Sequence, residues 1–301
     1  MRSEESDLTM SYSRFLEDTP LVPGMMRLLD HTDLCQPARL ADWIHARLDE
    51  GLTVFDHADI YGDGECERIF GEALMASPEL RQKVQVISKA GIVPAHQDTS
   101  QWTTKHYRAE ADYFAGAIDS SLSRLRVEQI HTFLIHRPDP LLEAESLART
   151  LEQAVSAGKI RHIGVSNFLP EQWRWLQKNT RLPLVCNQSE LSLNHASPLF
   201  DGTYEAHLSD GLRWLAWSPL AGGALPGSVP ESLLQAAREE TGLCETGLAI
   251  AWLRQLPGAP IPVLGSMREA RIEAALQGTR TALPRPLWFA LLEAMRQTAV
   301  P

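Results

Sequence analysis

The sequence contains no uncharged apolar stretch that approaches the roughly 18 residues of a membrane-spanning helix. Its acidic start, MRSEESDLTM, has no apolar segment of the kind that marks a secretion signal. Basic runs are also missing, and 28 Lys and Arg against 38 Asp and Glu give a formal net charge of -10. Nucleic-acid affinity depends on clustered cations. We therefore expect a soluble cytoplasmic protein that binds neither nucleic acid nor a membrane.

Cysteine is scarce, and its spacing excludes two further classes of site. Cys35, Cys66, Cys186 and Cys244 lie far apart, without a CxxC pair or a Cys/His cluster of metal-ligand spacing. We expect no metal and no disulfide framework, and reduced thiols that are mostly buried. No GxGxxG follows any apolar run, so the usual sign of a Rossmann dinucleotide site is absent.

Short apolar runs recur along the 301 residues, with helix-like segments between them. The predicted strands are 24–29, 53–55, 84–87, 130–135, 162–165, 184–186, 212–216 and 261–264. Most are apolar throughout, which is typical of strands covered on both faces. The βα order predicts a parallel sheet, and seven or eight βα units favour a (β/α)8 TIM barrel over a doubly wound sheet. We expect one α/β barrel domain over residues 20–301, preceded by an arm or hairpin over residues 1–19.

Polar residues, glycine or tryptophan stand at the end of seven of these runs. They are Asp56, Lys89, His136, Ser166, Asn167, Gln188, Trp217, Ser218, Gly265 and Ser266. Each has an ordinary explanation on its own, such as a helix cap, a solvated charge or a core position. In a (β/α)8 barrel, however, all seven ends converge on the rim that carries active sites. A common site explains the set better than seven coincidences.

Four ionisable residues of this region form a chemically coherent group. Tyr61 follows Asp56 closely, in GLTVFDHADIYG, and a tyrosine with an ordinary pKa near 10 can donate a proton at neutral pH. Lys89 can stabilise the phenolate that remains, while Asp56 keeps the ammonium ionised. His136 can donate a hydrogen bond to a substrate oxygen. The four residues together predict a general-acid site for a carbonyl group.

The chain resembles the aldo-keto reductase family over nearly its whole length. The segments that carry the resemblance are GLTVFDHADIYG, VISKAG, SLSRLRVEQIHTFLIHRPDP, GKIRHIGVSNF, CNQSE, AWSPLAGG and IPVLGS, in the family's order. HADIYGDGECERIFGEAL and IPVLGS are most similar to the bacterial YdhF-like branch. The resemblance implies a (β/α)8 barrel that binds a nicotinamide cofactor without a Rossmann fold.

The resemblance also implies a role for each residue. Tyr61 is the expected general acid, Lys89 and Asp56 adjust it, and His136 orients the carbonyl. Ser166, Asn167 and Gln188 are expected to bind the nicotinamide carboxamide. Trp217 is expected to stack on the ring, where tyrosine or phenylalanine is common in the family. The positions expected along the pyrophosphate are Ser218, Leu220 and Gly222.

The adenosine end and the substrate pocket depart further from the family pattern. Ser266 and Arg271 fit the positions that receive the 2'-phosphate of NADPH. Gly265 replaces the lysine of some branches, and Ala275 replaces a frequent asparagine. The expected cofactor is therefore NADPH, with NADH as the alternative. Met26 is expected beside the nicotinamide as part of an apolar wall, although a core position explains it equally.

Several functional alternatives remain open at this stage. The first is a reductase of small aldehydes or ketones, active as a monomer or a small homo-oligomer. The second is a regulatory or redox-sensing subunit of the same family, which binds the nucleotide and turns over little. A third makes Lys89 a Schiff-base nucleophile, but pairing with Asp56 would favour the charged ammonium and oppose that role.

Overall fold

The computed structural model describes Leu16, residues 18–223 and residues 225–299. The arm or hairpin predicted for residues 1–19 lies outside the described residues, apart from Leu16, Asp18 and Thr19. Within the described ranges, no helix has the length and apolar character needed to cross a membrane.

Short strands and longer helices alternate along the chain. The strands are β1 (Val22–Pro23), β2 (Val54–Asp56), β3 (Gln85–Ala90), β4 (Ile92–Val93), β5 (His106–Tyr107), β6 (Ile130–Ile135), β7 (Ile160–Ser166), β8 (Leu184–Glu190), β9 (Arg213–Trp217) and β10 (Ile261–Leu264). The α-helices are α1 (Pro37–Asp49), α2 (Glu65–Ala76), α3 (Ala111–Leu125), α4 (Ala144–Ser156), α5 (Pro170–Gln177), α6 (Thr203–Asp210), α7 (Leu225–Ser228), α8 (Glu231–Thr241), α9 (Glu245–Arg254), α10 (Glu269–Thr279) and α11 (Arg285–Arg296).

Eight strands form one sheet in the hydrogen-bonded order β1-β10-β9-β8-β7-β6-β3-β2. The pairs β1 with β10, β10 with β9, β2 with β3, β3 with β6, and β6 with β7 are parallel. A parallel bridge also joins Gly24, directly after β1, to Asp56 at the end of β2. The predicted parallel sheet is confirmed, and strands 130–135 and 261–264 have the predicted bounds.

The prediction of a strand over residues 24–29 is wrong. The first strand is only Val22–Pro23, paired with Val263 and Leu264, and a 3-10 helix covers Met25–Asp30. Methionine, leucine and arginine are good helix formers. Burial of Met25 and Leu28, three residues apart, matches the 3-10 period. The apolar run therefore packs as one helical turn.

The polar segment that follows β3 carries a small hairpin. Strands β4 and β5 pair antiparallel, Ile92 with Tyr107 and Val93 with His106. The sequence of this segment, rich in Gln, Thr and His, has no strand pattern. Its two ends are thus fixed to each other beside the end of β3.

The chain divides into two compact units. The first contains residues 24–187, and its core is rich in aromatic side chains. Phe55 packs against Phe70 with ring centroids 5.4 Å apart, and Phe114 packs against Phe133 at 6.3 Å. Each pair joins a strand to the helix that covers it, which holds the ends of β2 and β6 in place.

The second unit contains residues 20–23 and 188–301 and has its own apolar core. Trp252 of α9 stacks on Trp288 of α11 with ring centroids 4.9 Å apart, and the Trp288 indole N–H donates to the Trp252 carbonyl. Helix α11 buries Leu291 and Met295, which lie four residues apart on one face. These contacts support the strands β9 and β10 within this unit.

Candidate active site

The centre of the candidate site is Lys89, which projects from β3 beside the end of β2. Its side chain is fully buried, and Asp56 is 1% exposed. The Nζ donates to Asp56 Oδ2 at 2.8 Å, to the His57 carbonyl at 2.7 Å and to Tyr61 Oη at 3.1 Å. An ammonium group has three hydrogens to donate. All three have acceptors, so the buried charge is fully hydrogen-bonded.

The electrostatics of Lys89 favour its charged form. Burial would lower the pKa of the amine, but the Asp56 carboxylate and Tyr61 outweigh burial and raise the pKa above its usual value. Lys89 is therefore an ammonium at neutral pH. The cation also lies 4.9 Å from the centre of the Tyr61 ring.

Tyr61 is held by the turn that follows β2. Its backbone N–H donates to the Ala58 carbonyl at 3.1 Å, and the Asp59 N–H donates to the Lys89 carbonyl at 2.9 Å. Burial raises the pKa of the Tyr61 phenol, and the Lys89 ammonium opposes that effect only in part. Tyr61 is therefore a protonated donor at neutral pH. Its hydroxyl contacts the cation that would stabilise a phenolate.

His136 begins the loop after β6, where the strand register places it near Tyr61. Its backbone N–H donates to the Ala90 carbonyl at 2.8 Å, and its ring meets the Tyr61 ring edge-on, with centroids 6.3 Å apart. Burial, and then Lys89, holds the pKa of the imidazole well below its usual value. His136 is therefore neutral, and its Nδ1 has no hydrogen-bond partner among the described residues.

Ser166 and Asn167 stand at the end of β7, in the same unit as the four residues above. The Asn167 amide donates to the His136 carbonyl at 3.1 Å and to Ser166 Oγ at 2.9 Å. Asn167 has φ 62°, a left-handed conformation that asparagine tolerates better than most residues. The structure thus brings Asp56, Tyr61, Lys89, His136, Ser166 and Asn167 into one connected group.

Met26 also belongs to the first unit, on the 3-10 helix after β1. Its side chain is 54% exposed, whereas the neighbouring Met25 is fully buried. Met25 is thus an ordinary core residue, and Met26 is free to contact a ligand.

The remaining predicted cofactor residues lie in the second unit. Gln188 is buried in β8, Trp217 is half-buried at the end of β9, and Ser218 is exposed with φ 52°. Leu220 packs against the apolar core, and Gly222 has φ 68°. Gly265 and Ser266 follow β10, and Arg271 is exposed in the first turn of α10. Ala275 of the same helix is fully buried.

The start of α10 has the donors that an anion requires. Arg268 occupies the N-cap position without capping the helix through its side chain. Neither Arg268 nor Arg271 has an ion pair within residues 18–223 and 225–299. Uncapped N–H groups and the helix dipole favour a phosphate at such an end. The start of α10 can therefore hold a phosphate group.

Two ionisable residues of the Tyr61 turn were not predicted. His57 is completely buried, packs edge-on against Phe70 at 4.6 Å, and has no hydrogen-bond partner for either ring nitrogen among the described residues. Burial, and then Lys89, lowers the pKa of His57 to about 3. Burial, and then Glu67, raises the pKa of Asp59 to about 7. The sequence did contain a signal for both residues, because they lie in the same polar DHADIYG stretch as Asp56 and Tyr61.

Comparisons with known proteins agree with this fold. The model of the Aldo/keto reductase family matches residues 20–285. The oxidoreductase YdhF of Escherichia coli is 35% identical over 298 residues, which cover 96% of each chain. A 6-dehydroglucose reductase of Agrobacterium fabrum is 37% identical over 279 residues, or 92% of this chain and 94% of that protein.

Solved structures give the same result for the fold. The thermostable aldo-keto reductase Tm1743, crystallised with the inhibitor epalrestat, superposes with a TM-score of 0.77 at 23% identity. The match covers 91% of this chain and 94% of that one. The predicted (β/α)8 barrel fold and the resemblance to the YdhF-like branch are confirmed.

Proposed function

Because the chain belongs to the aldo-keto reductase family, and is thus an NAD(P)H-dependent oxidoreductase, we propose that it reduces small aldehydes or ketones with NADPH. The observation that carries the proposal is the contact of one buried ammonium, Lys89, with both Asp56 and Tyr61. When bound, the reduced nicotinamide supplies a hydride to the carbonyl carbon. The residues of this chain supply the proton and the orientation.

Tyr61 is the proposed general acid. Its phenol donates a proton to the carbonyl oxygen, and the Lys89 ammonium stabilises the phenolate that forms. Asp56 keeps Lys89 charged and fixes the direction of its hydrogen bonds. This mechanism needs a protonated tyrosine beside a permanent cation. The pKa shifts of Tyr61 and Lys89 both favour those protonation states.

His136 is proposed to orient the carbonyl. A neutral imidazole can donate one hydrogen bond to the substrate oxygen without competing with Tyr61 for the proton. Ser166, Asn167 and Gln188 provide hydroxyl and amide groups that match a carboxamide, and Trp217 provides a face on which the ring can stack. Arg268 and Arg271 would favour the 2'-phosphate of NADPH.

The test replaces Tyr61 by phenylalanine and follows oxidation of NADPH by a panel of aldehydes and ketones that includes 6-dehydroglucose. We expect Tyr61→Phe to lower kcat by about 10²–10⁴-fold while the affinity for NADPH stays nearly unchanged. Tyr204→Phe is the matched control, because among the described residues its hydroxyl donates only to the Pro257 carbonyl, in the second unit. An equal loss in both variants, or a loss of nucleotide binding with Tyr61→Phe, would contradict the proposed role.

A regulatory protein of the same family is the second candidate. It would bind NADPH yet turn over no member of the panel. The complete group of Asp56, Tyr61, Lys89 and His136 favours the enzyme, because a nucleotide sensor needs no proton donor. If the native protein turns over any member of the panel faster than the Tyr61→Phe variant does, it is an enzyme. If the two rates are equal while NADPH still binds, the regulatory candidate is favoured.

A further inference from the structure

Two cations flank His136 and take no part in the mechanism above. Arg137 follows His136 directly at the end of β6, and Lys105 precedes the short strand β5. Arg137 is half-buried and Lys105 is exposed. Both belong to the unit that contains Tyr61 and Lys89. They lie on the two segments that leave the sheet beside the proposed reaction centre.

Backbone contacts hold these two segments together. The Arg108 N–H donates to the Gly91 carbonyl at 3.1 Å, which fixes β5 beside the end of β3. Asp139, in the loop after His136, accepts from the Ala109 N–H at 3.0 Å and from the Leu141 N–H at 2.8 Å. The loop that carries Arg137 is thus tied to the strand that follows Lys105. The backbone positions of Arg137 and Lys105 are therefore set by the fold.

The charges of both residues act on the imidazole of His136. Arg137 and Lys105 contribute, after burial and Lys89, to the lowered pKa of His136. Arg137 adjoins His136 in the chain, and the contacts of Asp139 and Arg108 hold the segment of Lys105 beside the same loop. The chain as a whole has a net charge of -10. Three cations, Lys89, Arg137 and Lys105, thus act on His136 in a chain whose overall charge is negative.

Neither cation is neutralised by the chain itself. Within the described residues, Arg137 and Lys105 have no ion pair and no hydrogen bond from their side chains. The acidic groups nearest in sequence are engaged elsewhere. Asp139, next to Arg137 in the loop, accepts two backbone N–H groups, and Glu110, the nearest acid to Lys105, pairs with Arg108. An anion from outside the chain would meet two unpaired cations.

We propose that Arg137 and Lys105 bind an anionic group of the substrate, a carboxylate or a phosphate, while His136 and Tyr61 contact its carbonyl oxygen. The inference rests on the proposed function and narrows its substrate class to anionic aldehydes and ketones. Arginine can bind a carboxylate or phosphate through two parallel hydrogen bonds, so Arg137 is the main determinant. Lys105 adds a second, more exposed charge.

The test compares carbonyl substrates that differ only in charge. One pair is para-carboxybenzaldehyde and its methyl ester, and the other is glyceraldehyde phosphate and glyceraldehyde. We expect kcat/KM to favour the anionic member of at least one pair, and the pair that responds identifies a carboxylate or a phosphate. Raising the salt concentration should reduce the preference, because partly exposed charges are screened.

Variants assign the preference to the two residues. Arg137→Gln should reduce the ratio of kcat/KM for the anionic and neutral members by about ten-fold, mainly through KM. Lys105→Gln should reduce it by about three-fold, and Lys105→Glu by more. Arg39→Gln and Lys83→Gln are the controls, because they remove exposed cations from other surfaces. The Lys105 variants change only an exposed side chain, so they keep the test valid if Arg137→Gln folds poorly.

Three results would overturn the inference. The first is equal or better turnover of the neutral substrates, and the second is a ratio that does not change in any Arg137 or Lys105 variant. The third is a loss of NADPH affinity instead, which would assign both cations to the nucleotide. Failure of the proposed function is distinct, because it gives no turnover of any aldehyde. Calorimetric titration with para-carboxybenzyl alcohol and its methyl ester, with NADP+ present, then still shows whether the anion is preferred.

Discussion

The Lys89 ammonium donates to the phenol oxygen of Tyr61 across 3.1 Å, and this contact joins β3 to the turn after β2. The same ammonium is fully buried, and its principal counter-charge is Asp56 at 2.8 Å. The acidity of Tyr61 and the stability of this part of the fold therefore depend on the same ion pair. A change at Asp56 should affect both.

Asp56→Asn should destabilise the protein and lower turnover together. The amide retains an acceptor but removes the negative charge, which leaves a buried ammonium without its counter-ion. Loss of one partner of a buried ion pair costs about 3–5 kcal/mol. Urea unfolding measures the loss. Asp42→Asn, an exposed site on α1, is the control, and a cost no larger than that of the control would mean that water reaches Lys89.

The central part of the site could be read from the sequence because its chemistry is local. Asp56 and Tyr61 are five residues apart, and Lys89 and His136 follow apolar runs whose strands are neighbours in the sheet. Periodicity predicted those strands, and a parallel sheet places their carboxyl ends at one edge. The group therefore followed from strand prediction and the charge of a few side chains.

Other features depend on tertiary contacts that periodicity does not record. The Met25–Asp30 turn has the composition of either a strand or a helix, and its packing decides between them. The hairpin of β4 and β5 is too short, at two residues a strand, to leave a pattern. The burial of His57 is likewise invisible in the sequence, because the residue is polar and its neighbours are mixed.

Lys89 should resist trapping as a Schiff base. A lysine nucleophile must be neutral, and Asp56 and Tyr61 together raise the pKa of this amine. We expect borohydride in the presence of an aldehyde to leave Lys89 unlabelled, as judged by peptide mass spectrometry. Modification of Lys89 above the level of the exposed Lys83 would instead support the aldolase-like alternative.

Burial of neutral histidine should make the protein sensitive to acid. The pKa of His57 is about 3 in the folded chain, against roughly 6.5 in an unfolded chain. Above the unfolded value, neither state binds the proton, and stability is fully present. As the pH falls below about 6.5, the unfolded chain binds a proton that the folded chain does not, so stability is lost progressively towards the folded pKa.

The measurement is the free energy of unfolding in urea at a series of pH values. At about pH 5, His57 alone should cost about 2 kcal/mol relative to neutral pH. His57→Gln should make the pH dependence shallower by about that amount, even if it lowers stability at neutral pH. His31→Gln, which removes a histidine from a partly exposed site, is the control. Parallel curves for His57→Gln and the native protein would show that His57 is protonated in the fold.

The preference for NADPH should depend on the first turn of α10. Arg271 is exposed beside an uncapped helix end, where it can meet the 2'-phosphate without displacing another partner. We expect Arg271→Ala to lower the affinity for NADPH by about ten-fold and the affinity for NADH much less. Arg280→Ala, at the other end of the same helix, is the matched control.

Gly265 offers the opposite test at the same end of the cofactor. A Cβ at this position would meet nothing within 4 Å, so the backbone leaves room for the lysine of some related branches. Gly265→Lys should therefore raise the affinity for NADPH relative to that for NADH, because it adds a cation without a steric cost. Tryptophan fluorescence measures the binding of both nucleotides, and the quench should shrink with Trp217→Ala if that ring stacks on the nicotinamide.

If Arg271→Ala weakens the binding of NADPH and NADH equally, the 2'-phosphate is held elsewhere. Arg268→Ala then becomes the variant that should weaken NADPH binding more than NADH binding.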